Sequence, residues 1–421
     1  MGNQMHRQQS SLQHRSASIQ QWAGVGTANF NFAGGQIFVE YSNLTTSLPM
    51  TLSGTASSVN TGGWNATLSG NLTGSGALTK YGAGTLYLTG ASNTYSGGTT
   101  LIAGVINVSA ASELGSGPVT VQSGTLQSTG AYSSNTSTSV SGTGSALTAA
   151  TFIEFGPTTA GTLTVSSGGS VTATTTAAFG VDYSTSQGVS NVTGSGSSLN
   201  VGTVLYLGYS GTGVLSVGSG GSVTVGSTLD LGYYGGSGLF NLNTGGTLYI
   251  GGANGIQVGS GTANFNFAGG QIFVEYSNLT TSLPMTLSGT SSSVNTGGWN
   301  ATLSGNLAGS GALTKYGGGT LYLTGASNTY SGGTTLWTGS LNVTSAAALG
   351  TGPISVQGGT LQSTTTYSTN VATSVANAGA GLTAANYIEI GPHRRRQPHH
   401  QQRWQRHLHI HHCIRRLQQH R

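Results

Sequence analysis

Three segments of the chain fall on one template: GTLTVSSGGSVTA (161–173), GVLSVGSGGSVTV (213–225) and GLFNLNTGGTLYI (238–250). Each holds two period-2 apolar pairs around a Gly-Gly turn. They are Leu163/Val165 with Val171/Ala173, Leu215/Val217 with Val223/Val225, and Phe240/Leu242 with Leu248/Ile250. Period 2 places each pair on one face of a strand, and glycine supplies the positive φ that the corner demands. A second ladder reads IEFG, AAFG, LYLG, LDLG and IQVG, with glycines at 156, 180, 208, 232 and 259. Those glycines are spaced by 24, 28, 24 and 27 residues, about one coil of a parallel β-helix. One coil cannot bury its own apolar face, so neighbours must stack, at roughly 4.8 Å per strand step.

A larger repeat overlies the small one. Gly26–Leu101 recurs as Gly261–Leu336 with three differences (Ala56/Ser291, Thr73/Ala308, Ala83/Gly318), and the register holds over 26–157 and 261–392. The offset of 235 corresponds to nine or ten coils, and the body 23–392 to some 15. Charged residues are 5% of the chain, against about 25% in ordinary globular proteins. Such a composition suits low-complexity disorder or a solenoid with hydroxyl-rich outer faces, and the apolar alternation selects the solenoid. No i, i+3, i+4 apolar face of useful length argues for helix. The fold expected is all-β, a parallel β-helix, with 1–22 and 393–421 as disordered tails outside it.

Charge is partitioned sharply. All ten arginines and ten histidines lie within 1–22 or 393–421, whereas 23–392 holds only Lys80 and Lys315 against seven acids. The body is therefore net −5 while the whole chain is +5, so the positive total is no sign of nucleic-acid binding. The tail has its own explanation. At the position where the repeat predicts Thr, His393 opens HRRRQPHHQQRWQRH; codons permitted for that run, read one base later, give TAAGSLTISSGGSVT. The first copy reads TTAGTLTVSSGGSVT at 158–172, the same at 12 of 15 positions. We therefore expect 393–421 to be a frameshifted basic His/Arg tail, and 1–22, of similar flavour, to be an out-of-frame leader. Taken at face value, His407, His409, His411, His412 and Cys413 would suit zinc or nickel, and HRRR phosphate, but an unselected peptide explains them more simply. Cys413 is the single cysteine, so no intrachain disulfide forms. Neither a signal-type apolar run in 1–22 nor an 18-residue apolar span exists in the chain as written.

The segment GALTKYGAGTLYLTGASNTYSGGTTLIAGVINVSAASELGSGPVTVQSGTL (76–126) and its copy at 311–361 resemble the autotransporter-associated β-strand repeat. The pattern L-x-K-x-G-x-G-x-L-x-L-x-G-x-N-x-Y-x-G-x-T falls on Leu78, Lys80, Gly82, Gly84, Leu86, Leu88, Gly90, Asn93 or its neighbour, Tyr95, Gly97 and Thr99. Leu114-Gly115, Gly117-Pro118 and Gly124-Thr125-Leu126 complete it, while 190–250 looks like the Gly/Ser-rich repeats of adhesin-like passengers. The resemblance implies a right-handed β-helix displayed at, or released from, an outer-membrane surface. It also implies a signal upstream and a membrane β-barrel or other anchor downstream in a longer parent protein. It brings no catalytic residue, metal or cofactor, and makes Lys80 and Lys315 structural, their stems packed beside Tyr81 and Tyr316.

Parallel β-helices also host lyases and glycosidases, so a polysaccharide-active enzyme is the alternative to weigh. Glycosidase chemistry needs two carboxyls roughly 5–9.5 Å apart. Glu154, Ala178, Tyr206, Asp230 and Gln257 share one outward ladder position, which puts Glu154 and Asp230 three coils, roughly 14 Å, apart. Asp182 reads as a turn residue, and the body holds no arginine to steady a developing anion. The T-x-T run at 171–176 does not persist on later coils as an ice-binding array would, and Asn43, Asn65, Asn71 and Asn191 in N-x-S/T contexts serve in turns. What remains is a non-catalytic surface or secreted segment, either an adhesin or a spacer stalk without ligand. If a polysaccharide or a neighbouring cell is bound, the contacts expected are Tyr206, Tyr209, Tyr233, Tyr234, and Trp64 with its copy Trp299. Near-identical coils that can mispair also predict self-association.

Overall fold

The computed structural model describes residues 28–55, 57–252 and 254–391, together with the backbone of Leu12–His14. These form a parallel β-solenoid of about 16 turns. The only helical segments among the described residues are two 3-10 turns, Ala111–Leu114 and Ala346–Leu349, and none could cross a membrane.

In the middle of the chain each coil contributes three strands. Ala160–Ser166, Gln187–Thr193, Thr212–Gly218, Ser237–Asn243 and Thr262–Ala268 belong to a first sheet. Ser170–Ala173, Ser198–Val201, Ser222–Val225 and Thr247–Gly252 follow in a second, and Ala177–Phe179, Val204–Leu207, Thr228–Leu231 and Ile256–Val258 in a third. All strand pairings between these coils are parallel and couple one coil to the next. Inside, Val165, Val192, Val217 and Leu242 stack in register, and all four are buried. The neighbouring column runs Leu163, Ser190, Leu215, Phe240. Ser190 interrupts it with a buried hydroxyl that has no hydrogen-bond partner.

Corners follow the glycine ladder. Gly156, Gly180, Gly208 and Gly232 all have φ between 66° and 71°. A Cβ on Gly180 would stand 2.2 Å from the carbonyl oxygen of Thr212, so both conformation and space demand glycine there.

The two copies of the long repeat do not sit in the solenoid alike. Gln36–Val39 in the first copy is a strand of the first sheet. Its counterpart, the opening of Gln271–Thr281, continues the second sheet, pairing Ile272 with Leu248. The first copy's Phe30–Phe32 corresponds to a stretch of Thr262–Ala268, which lies in the first sheet. The offset of 235 is thus ten coils plus one strand, slightly beyond the nine or ten that the spacing suggested. Gln271–Thr281 accommodates the change by running through a corner and pairing onward with both Ser292–Asn295 and Ala301–Leu303.

At the leading end, Leu12–His14 pairs in parallel with Gln36–Val39, whereas the sequence reading kept 1–22 outside the solenoid. The rest of 1–22, and the tail 393–421 with its His/Cys cluster, lie outside the described residues.

Candidate contact surface and the motif residues beneath the coils

The third sheet carries the outward ladder Ser133, Glu154, Ala178, Tyr206, Asp230, Gln257, in that register. Glu154 and Asp230 are therefore three coils apart, a separation beyond that of a glycosidase carboxyl pair. Four tyrosines converge beside this ladder. Tyr206 lies 5.2 Å from Tyr209 and 5.0 Å from Tyr233 between ring centroids; Tyr234 lies 5.1 Å from Tyr209 and 4.5 Å from Tyr233. Tyr209 and Tyr233 follow the corner glycines Gly208 and Gly232, so the coil spacing itself stacks them. The contacts between Tyr209 and Tyr234 and between Tyr233 and Tyr234 are edge-to-face, the arrangement favoured by the ring quadrupole. Tyr234 is 62% exposed and the other three are half-buried.

Asp230 sits under this cluster. Strand alternation points it outward, away from buried Leu229 and Leu231, yet it is only 4% exposed. Its Oδ1 has no hydrogen-bond partner. Burial pushes its carboxyl above the usual aspartate range. Tyr206 is likewise raised, by burial first and then by Tyr233 and Asp230. Glu154 is raised by burial; a hydrogen bond from Ser133 opposes the shift, and the charge of Asp182 adds to it. Sequence reasoning named the four tyrosines as candidate contacts without grouping them, and missed that Asp230 is covered, because period 2 marks it only as outward-facing.

The tryptophans stand elsewhere. Trp64 is 43% exposed, donates Nε1–H to the carbonyl of Glu40 at 2.9 Å, and follows Ser57–Asn60 of the first sheet. Trp299 is 45% exposed and follows Ser292–Asn295, which continues the second sheet. These are different corners, and neither tryptophan touches the tyrosine cluster.

Beneath the surface, the repeat's polar residues have interior tasks. Lys80 alternates with Leu78 on the inward face and is fully buried, so its stem lies inside the core rather than beside the Tyr81 ring. Its Nζ donates to the carbonyls of Tyr81 (2.8 Å), Gly82 (2.7 Å) and Ala103 (3.1 Å), tying one corner to the next coil. Lys315 repeats this with Tyr316, Gly317 and Thr338. Burial lowers both ammonium groups to about 8. Asn93, which the spacing left open between it and a neighbour, is the motif asparagine. It accepts from Leu72 N–H at 2.8 Å and donates to Glu113 O at 2.6 Å, spanning three coils; Asn328 does the same between Leu307 and Ala348. The buried Tyr95 hydroxyl bonds Thr99, whose own hydroxyl donates to Leu114 O, and Tyr330, Thr334 and Leu349 repeat the chain of bonds.

No curated protein and no solved structure matches this chain. Residues 78–108 and 313–343 fit the model of the passenger-associated-transport-repeat, so the chain carries that repeat twice, once in each copy of its long duplication.

Proposed function

We propose that this chain is a non-catalytic, adhesin-like passenger segment of an autotransporter-type protein, working at the cell surface or after release from it. The repeat matches and the continuous parallel solenoid fit such a passenger. In this reading a β-barrel or other anchor belonging to a longer parent protein holds the rod at the outer membrane. The observation that carries the adhesive part is the contiguous cluster Tyr206, Tyr209, Tyr233 and Tyr234 on an outer face otherwise rich in Gly, Ser and Thr. Aromatic faces that expose both an apolar ring and a hydroxyl are suited to stacking on sugar rings. A polysaccharide repeats, so many weak contacts along a rod add through avidity. Trp64 and Trp299 would serve as separate contact points. Self-association of the rod through similar coils belongs to the same reading.

The test is attachment of the immobilised chain to polysaccharide-coated surfaces and to cells, beside a variant with all four tyrosines changed to Ser. Attachment that falls at least tenfold in the variant supports the adhesin. Attachment by neither protein would favour a plain spacer.

A further inference from the structure

The charges along the third sheet narrow the ligand. Among the described residues the only cationic side chains are Lys80 and Lys315, both fully buried with their ammonium groups on backbone carbonyls. Every charge that the described surface offers to a partner is therefore a carboxylate. Three of the seven acids gather on one edge: Glu154 and Asp230 on the ladder, and Asp182 close enough to Glu154 to act on its charge. The tyrosine cluster stands on that same edge. Asp230 directs a carboxylate into it with Oδ1 buried and unpartnered, and an unsatisfied buried acceptor is costly until a donor reaches it.

Resting on the reading that this patch contacts a saccharide, we propose that its ligand is an amine-bearing one, a chain of partly deacetylated amino sugars. The sugar's carbon face lies on Tyr206, Tyr209 and Tyr233, and its primary ammonium donates to Asp230, with Glu154 and Asp182 taking further ammonium groups along the rod. Acidic glycans are repelled by the same edge. A quaternary ammonium group has no N–H, so it gains the ring faces but leaves Oδ1 unsatisfied. Entry to Oδ1 displaces a ring at the rim, and Tyr234, at 62% exposure, is the least covered of the four.

The experiment titrates the full chain with a glucosamine hexamer, an N-acetylglucosamine hexamer and choline, reading tyrosine emission and calorimetric heat. The free-amine hexamer should bind at least tenfold more tightly than its acetylated form or choline, and the difference should shrink as salt is added. Asp230→Asn, nearly the same shape, should remove that preference while leaving the melting temperature close to the parent's. Equal affinity for both hexamers, tighter binding of choline, an unchanged preference in Asp230→Asn, or no binding at all overturns the amine assignment. Attachment to neutral polysaccharide that survives such a result would keep the adhesin and discard only the amine. Loss of all attachment would discard the adhesin itself.

Discussion

The first and second copies of the long repeat differ at three positions over Gly26–Leu101 and its counterpart, yet they occupy different places around the rod. Within each copy the same apolar columns face inward and many of the same bonds form, down to the triple carbonyl contact of Lys80 and Lys315. What differs is which sheet each strand continues. In the first copy, strands start at Ser57, Leu78 and Thr99, 21 residues apart; in the block between the copies they start at Gln187, Thr212 and Ser237, 25 apart. The longer coils shift the phase, and the second copy enters one strand later. Local sequence decides the form of a coil, and the summed coil lengths before it decide which side of the rod it faces. Trp64 and Trp299, equivalent by sequence, are thereby set on different corners, so a flat partner meeting one does not meet the other at the same angle.

A second contrast concerns covering. Ile153 and Phe155 are fully buried, with Ala177 and Phe179 of the next coil in register upon them. Their counterparts Ile388 and Ile390 belong to the last described coil and are 44% and 50% exposed. Burial in a solenoid is a property of the pair of coils, never of one alone.

The largest effect should come from the interior tyrosines. Changing Tyr95 to Ala removes a fully buried ring and its bond to Thr99, and by analogy with large-to-small core changes should cost about 3–5 kcal/mol. Tyr330→Ala should cost the same, since its surroundings are alike. Thermal or denaturant melting of the two variants tests this. A gap of more than about 1.5 kcal/mol would mean that position along the rod, rather than the repeat's own packing, sets the contribution of each copy.

The lysines give an effect whose sign can be read from pH. Burial lowers Lys80 and Lys315 to about 8 from the ordinary 10.5. Between those values the unfolded chain holds two protons that the folded chain has released, so stability rises with pH across that window. Burial raises Tyr95, Tyr132 and Tyr330 above their ordinary value of 10.0, so beyond about pH 10 the unfolded chain alone loses protons and stability falls. Melting temperature should therefore peak at about pH 9–10. The Lys80→Met, Lys315→Met double variant should be less stable at pH 7, by about 1–3 kcal/mol per site for the ammonium–carbonyl bonds that are lost. It should also lose the rising limb. A rising limb kept in the double variant would place its origin outside these residues.

How much of this was legible in the sequence depends on what each residue had to do. The inward columns through Val165, Val217 and Leu242 followed from alternation alone, because a period of 2 admits one choice of face. The four tyrosines were legible one by one as candidate contacts; that their rings pack together was not, because it comes from the stacking of coils 206–209 and 230–234. Lys80 was misplaced beside Tyr81 because a lysine is ordinarily kept at the surface; only the three corner carbonyls, which no side-chain pattern reports, make its interior position tolerable. The phase shift between the copies was hidden for a similar reason. It accumulates from loop lengths, while the apolar pattern repeats identically whichever sheet it enters. Ser190 was passed over because the coil 187–201 breaks the GTLTV-type template at the one position where a hydroxyl replaces an aliphatic side chain.

Ser190 offers a gain where the other sites offer losses. Its neighbours in the column, Leu163 and Leu215, are fully buried, and its hydroxyl meets no partner. Ser190→Ala should raise stability by about 1 kcal/mol, since an unsatisfied buried hydroxyl is removed with almost no change of volume. A loss on this substitution, seen as a lower melting temperature, would show that the hydroxyl is hydrogen-bonded in solution.

The smallest effect belongs to a position where the copies already disagree. Glu113 accepts from Ser109 N–H at 2.7 Å and from its hydroxyl at 2.5 Å, closing the 3-10 turn Ala111–Leu114. The second copy has Ala348 there, yet Ala346–Leu349 forms the same turn and ends at Gly350 with φ 72°, against 76° at Gly115. The backbone carbonyl at this position receives the asparagine of the preceding coil at 2.6 Å in both copies. The bond that spans coils is therefore made by the main chain, and the carboxylate only decorates the turn. Glu113→Ala should cost less than about 1 kcal/mol, because the second copy holds the same turn and the same coil-spanning bond with alanine in this place. The reverse change, Ala348→Glu, should gain no more than that, because Thr344 there replaces Ser109 as the donor. A loss above about 2 kcal/mol in Glu113→Ala would break the equivalence of the two copies at the level of energy, even though their backbones agree.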